Sequence, residues 1–116
     1  MTKYHQERLN ELIKQALSKI IRFDLRDKRV KNISIEKVDV SSDMHYARIY
    51  FSIFDDKERK YARKGLNRAN KYIRLKLAKT LNLRYTPELK FIYDTIPTNA
   101  QSIELLIEKD RKKYDY

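Results

Sequence analysis

Apolar residues enter the chain at helical spacing. Leu9, Leu12, Ile13, Ala16, Leu17, Ile20 and Ile21 recur at alternating steps of three and one, which predicts a helix from about Tyr4 to Phe23 with one face inward. Its other face mixes Glu7, Arg8, Glu11, Lys14 and Lys19, where a membrane-surface helix would be more uniformly basic. The polar run Asp24-Leu25-Arg26-Asp27-Lys28-Arg29-Val30-Lys31 breaks the period and reads as a loop. Strand alternation follows. Ile33 and Ile35 point one way, while Val38 and Val40 keep the spacing of two but fall out of phase, so a bulge near Glu36-Lys37 is needed to realign them. Ser41-Ser42-Asp43 supplies a turn. Beyond it, Ala47, Ile49, Phe51 and Ile53 share one face, with Tyr46, Arg48, Tyr50 and Ser52 on the other. The segments Ile33–Val40 and Tyr46–Phe54 predict an antiparallel hairpin with one buried face.

A capping box at Asp55 and Glu58 opens a second helical pattern through Ala62, Leu66, Ala69, Ile73, Leu77 and Leu81. Roughly opposite lie Lys60, Lys64, Arg68, Lys71 and Lys79, with Arg63 and Arg74 at the flanks. The spacing suits one long helix or two joined by a kink. Thr86-Pro87-Glu88 is expected to end it, because proline disfavours helix in the preceding residue. Leu89, Phe91 and Tyr93 alternate with Lys90, Ile92 and Asp94 as a third strand. Thr98 to Gln101 resembles a further capping box, opening a short helix with Ile103, Leu106 and Ile107 inward, and Lys109 to Tyr116 reads as a frayed tail. The expected architecture is α+β, one domain over 1–108 and a charged tail over 109–116. A three-stranded sheet carries helices on one face, in a KH-like order α-β-β-α-α-β-α.

Composition narrows the function. The chain has 116 residues, no Cys and a single Gly. It therefore lacks thiolate zinc sites, a Cys nucleophile, a Walker loop, a GxGxxG loop and the GxxG RNA clamp. Its formal charge of +11 points to a polyanion, nucleic acid before acidic membrane. That charge is concentrated: residues 57–90 hold 12 basic side chains against Glu58 and Glu88. No apolar stretch approaches the roughly 20 residues of a membrane span, and no secretory segment opens the chain, so a cytosol-like compartment is expected.

Lys64, Arg68, Lys71, Arg74, Lys76 and Lys79 could hold phosphates along an RNA backbone, with Asn70 among them and Arg84 just beyond. A solvated helix face usually mixes signs to gain i,i+4 pairs, and this one does not. Arg26, Lys28, Arg29 and Lys31 form a second basic patch, for which loop solvation and phosphate binding are both open. Tyr46, Arg48 and Tyr50 resemble a stacking platform, although aromatics are common in strands. Enzyme chemistry is poorly provided for. Neither His5 nor His45 has a triad partner, and no cofactor or small-molecule substrate is expected. Asp24, Asp27, Asp39, Asp43 and Asp94 could in principle assemble a two-metal nuclease site, although each suits a turn or strand end.

Three ordered stretches carry a resemblance. They are Val38-Asp39-Val40-Ser41-Ser42-Asp43-Met44 followed by Ala47, then Leu66-Asn67-Arg68-Ala69-Asn70-Lys71-Tyr72-Ile73-Arg74, then Leu83-Arg84-Tyr85-Thr86-Pro87-Glu88-Leu89-Lys90-Phe91-Ile92-Tyr93-Asp94. Over about residues 4–107 the chain resembles the bacterial ribosome-binding factor A family. The resemblance implies a type II KH domain whose GxxG loop is replaced by an interhelical Ala-x-Gly kink. It implies a monomeric factor, itself not an enzyme, that binds the free small (30S) ribosomal subunit and 16S rRNA and assists late rRNA maturation. The rival readings are a structural ribosomal protein and a small metal-dependent ribonuclease.

The chain departs from that family twice. Ala69-Asn70-Lys71 stands where Ala-x-Gly is expected, so Lys71 adds a cation, and either the kink is shallow or Asn70 absorbs it in left-handed geometry. Asp27-Lys28-Arg29-Val30 lacks the usual proline, so that loop is expected to be less rigid and more basic.

Overall fold

The computed structural model describes residues 3–94. The helix expected after Thr98 and the charged tail lie outside the described residues. Helix α1 spans Lys3–Lys19 and runs on into a π-helical turn at Ile20–Asp24. Ile13, Ala16, Leu17, Ile20 and Ile21 are buried as the period predicts, whereas Leu12 is 46% exposed. At 3.6 residues per turn Leu12 sits about 100° from Ile13, off the edge of the inward stripe.

Strands β1 (Ile33–Val40) and β2 (Tyr46–Ile53) form the antiparallel hairpin. The register slips between Ile35 and Lys37, which is the bulge that the phase change of Val38 and Val40 demanded. At the bulge Glu36 accepts a hydrogen bond from the Ser52 hydroxyl. The turn is closed by Ser41 and Asp43: the Asp43 carboxylate accepts from the Ser41 hydroxyl and the His45 N–H, and Met44 takes a positive φ of 66°. Strand β3 (Glu88–Tyr93) pairs parallel to β2, giving the order β1-β2-β3.

A parallel partner requires a crossover, and two helices supply it. Asp55 caps their start by accepting from the Lys57 N–H, but the chain first makes a 3-10 turn at Asp56–Glu58. Helix α2 then covers Arg59–Arg68 and α3 covers Asn70–Leu81. The predicted stop at Pro87 is wrong by several residues. Asn82 takes the left-handed conformation (φ 51°, ψ 46°), and the Leu83 N–H returns to the Ala78 carbonyl. Asparagine tolerates that geometry, so the helix ends there and Pro87 instead lies buried just before β3.

The helices bury their apolar sides against one face of the sheet. Ile13, Leu17, Ile49, Phe51, Leu66, Ile73 and Leu77 are fully enclosed in this one core. Gly65 sets how closely the second basic patch approaches it. The 3-10 turn Lys28–Val30 packs on α2 here, and a Cβ on Gly65 would lie 2.9 Å from Arg29 Cβ and 3.0 Å from Val30 Cγ1. Neither atom is the free end of a flexible chain.

Gly65→Ala therefore reverses the usual sign. In an open helix it would stabilise by about 0.5–1 kcal/mol. Overpacking against Arg29 and Val30 costs about 1–3 kcal/mol, so a lower melting temperature is expected. A raised one would show that the Lys28–Val30 turn yields freely.

Candidate nucleic-acid interface

The α2–α3 junction decides where the cations point. Ala69 sits between the helices at φ −87° and ψ 1°, in the bridge region. Two i→i−4 hydrogen bonds span it, from the Ala69 N–H to the Gly65 carbonyl and from the Ile73 N–H to the Ala69 carbonyl. The chain thus changes direction without leaving right-handed space, which needs no glycine. Asn70 does not take left-handed geometry: among the described non-glycine residues only Met44 and Asn82 have positive φ. Its side-chain amide instead donates to the Leu89 carbonyl at 3.0 Å, tying the start of α3 to β3.

The predicted cations fall into two groups. Lys64 and Arg68 on α2, Lys71 and Lys79 on α3, and Arg84 beyond it are exposed. None of these five is in an ion pair among the described residues. Arg74 and Lys76 are turned aside. The Arg74 guanidinium donates to the Thr86 carbonyl at 2.9 Å and the Pro87 carbonyl at 3.2 Å, holding the loop that leads into β3. Lys76 faces the end of α1, with Nζ 3.9 Å from an Asp24 carboxylate oxygen. Their positions on α3 explain this: both flank the buried Ile73–Leu77 stripe.

The second patch joins the first. Asp27 accepts from the Arg29 backbone N–H at 2.9 Å and grips its guanidinium at 2.6 Å, so the turn is fastened without proline. The Arg29 side chain and backbone bonds hold the Asp27 carboxyl down at about 2, with Arg68 adding a smaller pull from α2. Arg29 also lies over the Tyr61 ring, 5.9 Å from its centroid. The expectation of a looser loop is thus corrected, and Arg29 is committed to this clamp. Lys28 and Arg26 remain exposed beside α2.

Residues outside the predicted set extend the same surface. Lys60 and Arg63 are exposed on α2, and with Arg59 and Tyr93 they line a groove of about 220 Å³. Arg59 lies over the Tyr93 ring at 5.8 Å. The Tyr93 hydroxyl donates to Asp56, and burial together with that bond pushes its pKa up to about 12. Tyr61 and Tyr72, 54% and 46% exposed, interleave with the lysines. Their spacing against the apolar stripe was a usable signal for this.

The family model for ribosome-binding factor A matches residues 5–107. The chain belongs to the ribosome-binding factor A family. A ribosome-binding factor A of Coxiella burnetii is 38% identical over 110 residues, covering 95% of this chain and 92% of the relative. The crystal structure of ribosome-binding factor A from Thermus thermophilus aligns with a TM-score of 0.68 at 28% identity, covering 76% of this chain and 94% of that one. A Thermus thermophilus homology model fitted into the cryo-electron microscopy map of a 30S complex aligns at 0.63 and 29% identity, covering 73% and 90%. These family structures support a KH-like architecture, and in this chain the two crossover helices meet at Ala69.

Three of the aspartates weighed for a two-metal site have partners of their own. Asp27 holds Arg29, Asp43 closes the hairpin turn, and Asp39 faces Arg48 at 4.0 Å. No group of three possible metal ligands occurs among the described residues.

Proposed function

We propose that this protein is a ribosome assembly factor. It binds the free small subunit as a monomer in the cytoplasm, contacts 16S rRNA, and assists late rRNA maturation without catalysing a reaction itself. The observation that carries this reading is the run of exposed, unpaired cations on α2 and α3 within a ribosome-binding factor A fold. The Thermus relative fitted into a 30S complex supports the choice of partner. Lys64, Arg68, Lys71, Lys79 and Arg84 neutralise phosphates, with Lys28 and Arg26 extending the contact. Asn70, Arg74, Arg29 and Lys76 act from behind this surface by fixing β3, its approach loop, the Lys28–Val30 turn and the end of α1, respectively. Specificity then comes from the shape of folded rRNA rather than a base code.

Sedimentation of a cell lysate tests the assignment. An assembly factor co-sediments with free or immature small subunits. Stoichiometric presence in translating ribosomes would make it a structural ribosomal protein, and metal-dependent RNA cleavage would make it a nuclease. A finer test concerns Lys71, the second residue of α3, exposed where the family resemblance implies a glycine. Lys71→Ala should weaken subunit binding, reduce the salt slope by about 1 and leave circular dichroism unchanged. Wild-type affinity with a wild-type spectrum would remove Lys71 from the interface.

A further inference from the structure

Among the described residues the helices cover one side of the sheet. On the open side, Arg48 of β2 and Lys90 of β3 are direct cross-strand partners. Like charges directly opposite one another on a sheet are destabilising. Here the only carboxylate within 4.0 Å of Arg48 among the described residues is Asp39, at the limit of that distance, and both side chains are largely exposed. Beside them Tyr46 is 45% exposed, and Lys90 Nζ lies 4.7 Å from its ring centroid. Asp39, Ser41, Ser42, Tyr46, Arg48 and Lys90 share a cleft of about 450 Å³ at the hairpin end of this face.

An anion between Arg48 and Lys90 would be held by both cations at once. Drawing Lys90 toward that anion frees the Tyr46 ring for a flat partner. Asp39 then stands ready to accept from an N–H donor. Phosphate, planar ring and amino group in one small volume are the parts of a nucleotide. We propose that this cleft binds one unpaired nucleotide of an RNA strand: the phosphate lies between Arg48 and Lys90, the base stacks on Tyr46, and Asp39 accepts from a base amino group. The cleft is lined by the hairpin, β3 and Gln6 of α1 and by no residue of α2 or α3, so it engages a different stretch of RNA and does not rest on the helical-face reading. A single molecule can then bridge two RNA segments.

Fluorescence anisotropy with a labelled single-stranded oligoadenylate of about ten nucleotides tests the cleft, at low salt and with the full chain. Tyr46→Ala should weaken binding about tenfold, the loss of one stacked base, while Tyr46→Phe keeps wild-type affinity. Arg48→Ala and Lys90→Ala should weaken it as well. The Tyr46→Ala loss should persist in a Lys64→Ala/Arg68→Ala background, which isolates it from the helical face. With circular dichroism intact, unchanged affinity of Tyr46→Ala would overturn the proposal, and so would a Tyr46→Phe variant as weak as Tyr46→Ala. Failure of the helical-face reading has a separate signature, namely wild-type duplex RNA binding by the Lys64→Ala/Arg68→Ala variant.

Discussion

A fourfold rise in salt should lower the affinity of this protein for the proposed rRNA site by two to three orders of magnitude. The magnitude follows from the number of free cations. Lys64, Arg68, Lys71, Lys79 and Arg84 are exposed and outside any ion pair among the described residues, so each can displace a condensed counterion from a phosphate. About five such contacts on duplex-like RNA give a log–log slope of roughly −4 to −5. The check is a binding titration against a folded 16S rRNA fragment over a salt series. A shallow slope would mean that phosphate neutralisation is not the source of affinity. Arg29 and Arg74 should contribute little to the slope, because their guanidinium groups already serve Asp27 and the Thr86 and Pro87 carbonyls. That difference separates a general charge effect from the surface described above.

What could be read in advance was whatever a local period encodes. Ala47, Ile49, Phe51 and Ile53 alternate without a slip, and all four are buried. Even the bulge was visible, because a one-residue phase change in β1 has no other cheap remedy. The features that escaped depend on partners distant in sequence. Asn70 is a plain polar residue until β3 comes within reach, when its amide finds the Leu89 carbonyl. Arg74 counts as one more cation until the loop before β3 places two carbonyls beside it. Gly65 is simply the chain's single glycine until the Lys28–Val30 turn packs on α2, where it leaves that turn room. The end of α3 was misassigned for a different reason. Proline is a strong stop signal, and Asn82, a weaker one, acts first.

Two leucines on α3 give the second large effect, and its sign depends wholly on helix phase. Leu77 is fully buried in the core that includes Ile13, Leu17 and Phe51, whereas Leu75, two residues earlier, is 58% exposed. Truncation at Leu77 removes buried methyl groups and leaves a cavity that close-packed neighbours fill only in part. Leu77→Ala should therefore cost about 2–5 kcal/mol and lower the melting temperature by about 10 °C or more. The chemically identical Leu75→Ala change alters the helix surface and should stay within about 0.5 kcal/mol of wild type. Thermal or urea unfolding of the two variants side by side measures the difference directly. Equal stabilities would mean that α3 is rotated from the orientation described. Lys71 and Lys79 would then no longer share its outer face, and the electrostatic interface would lose its geometry along with the core.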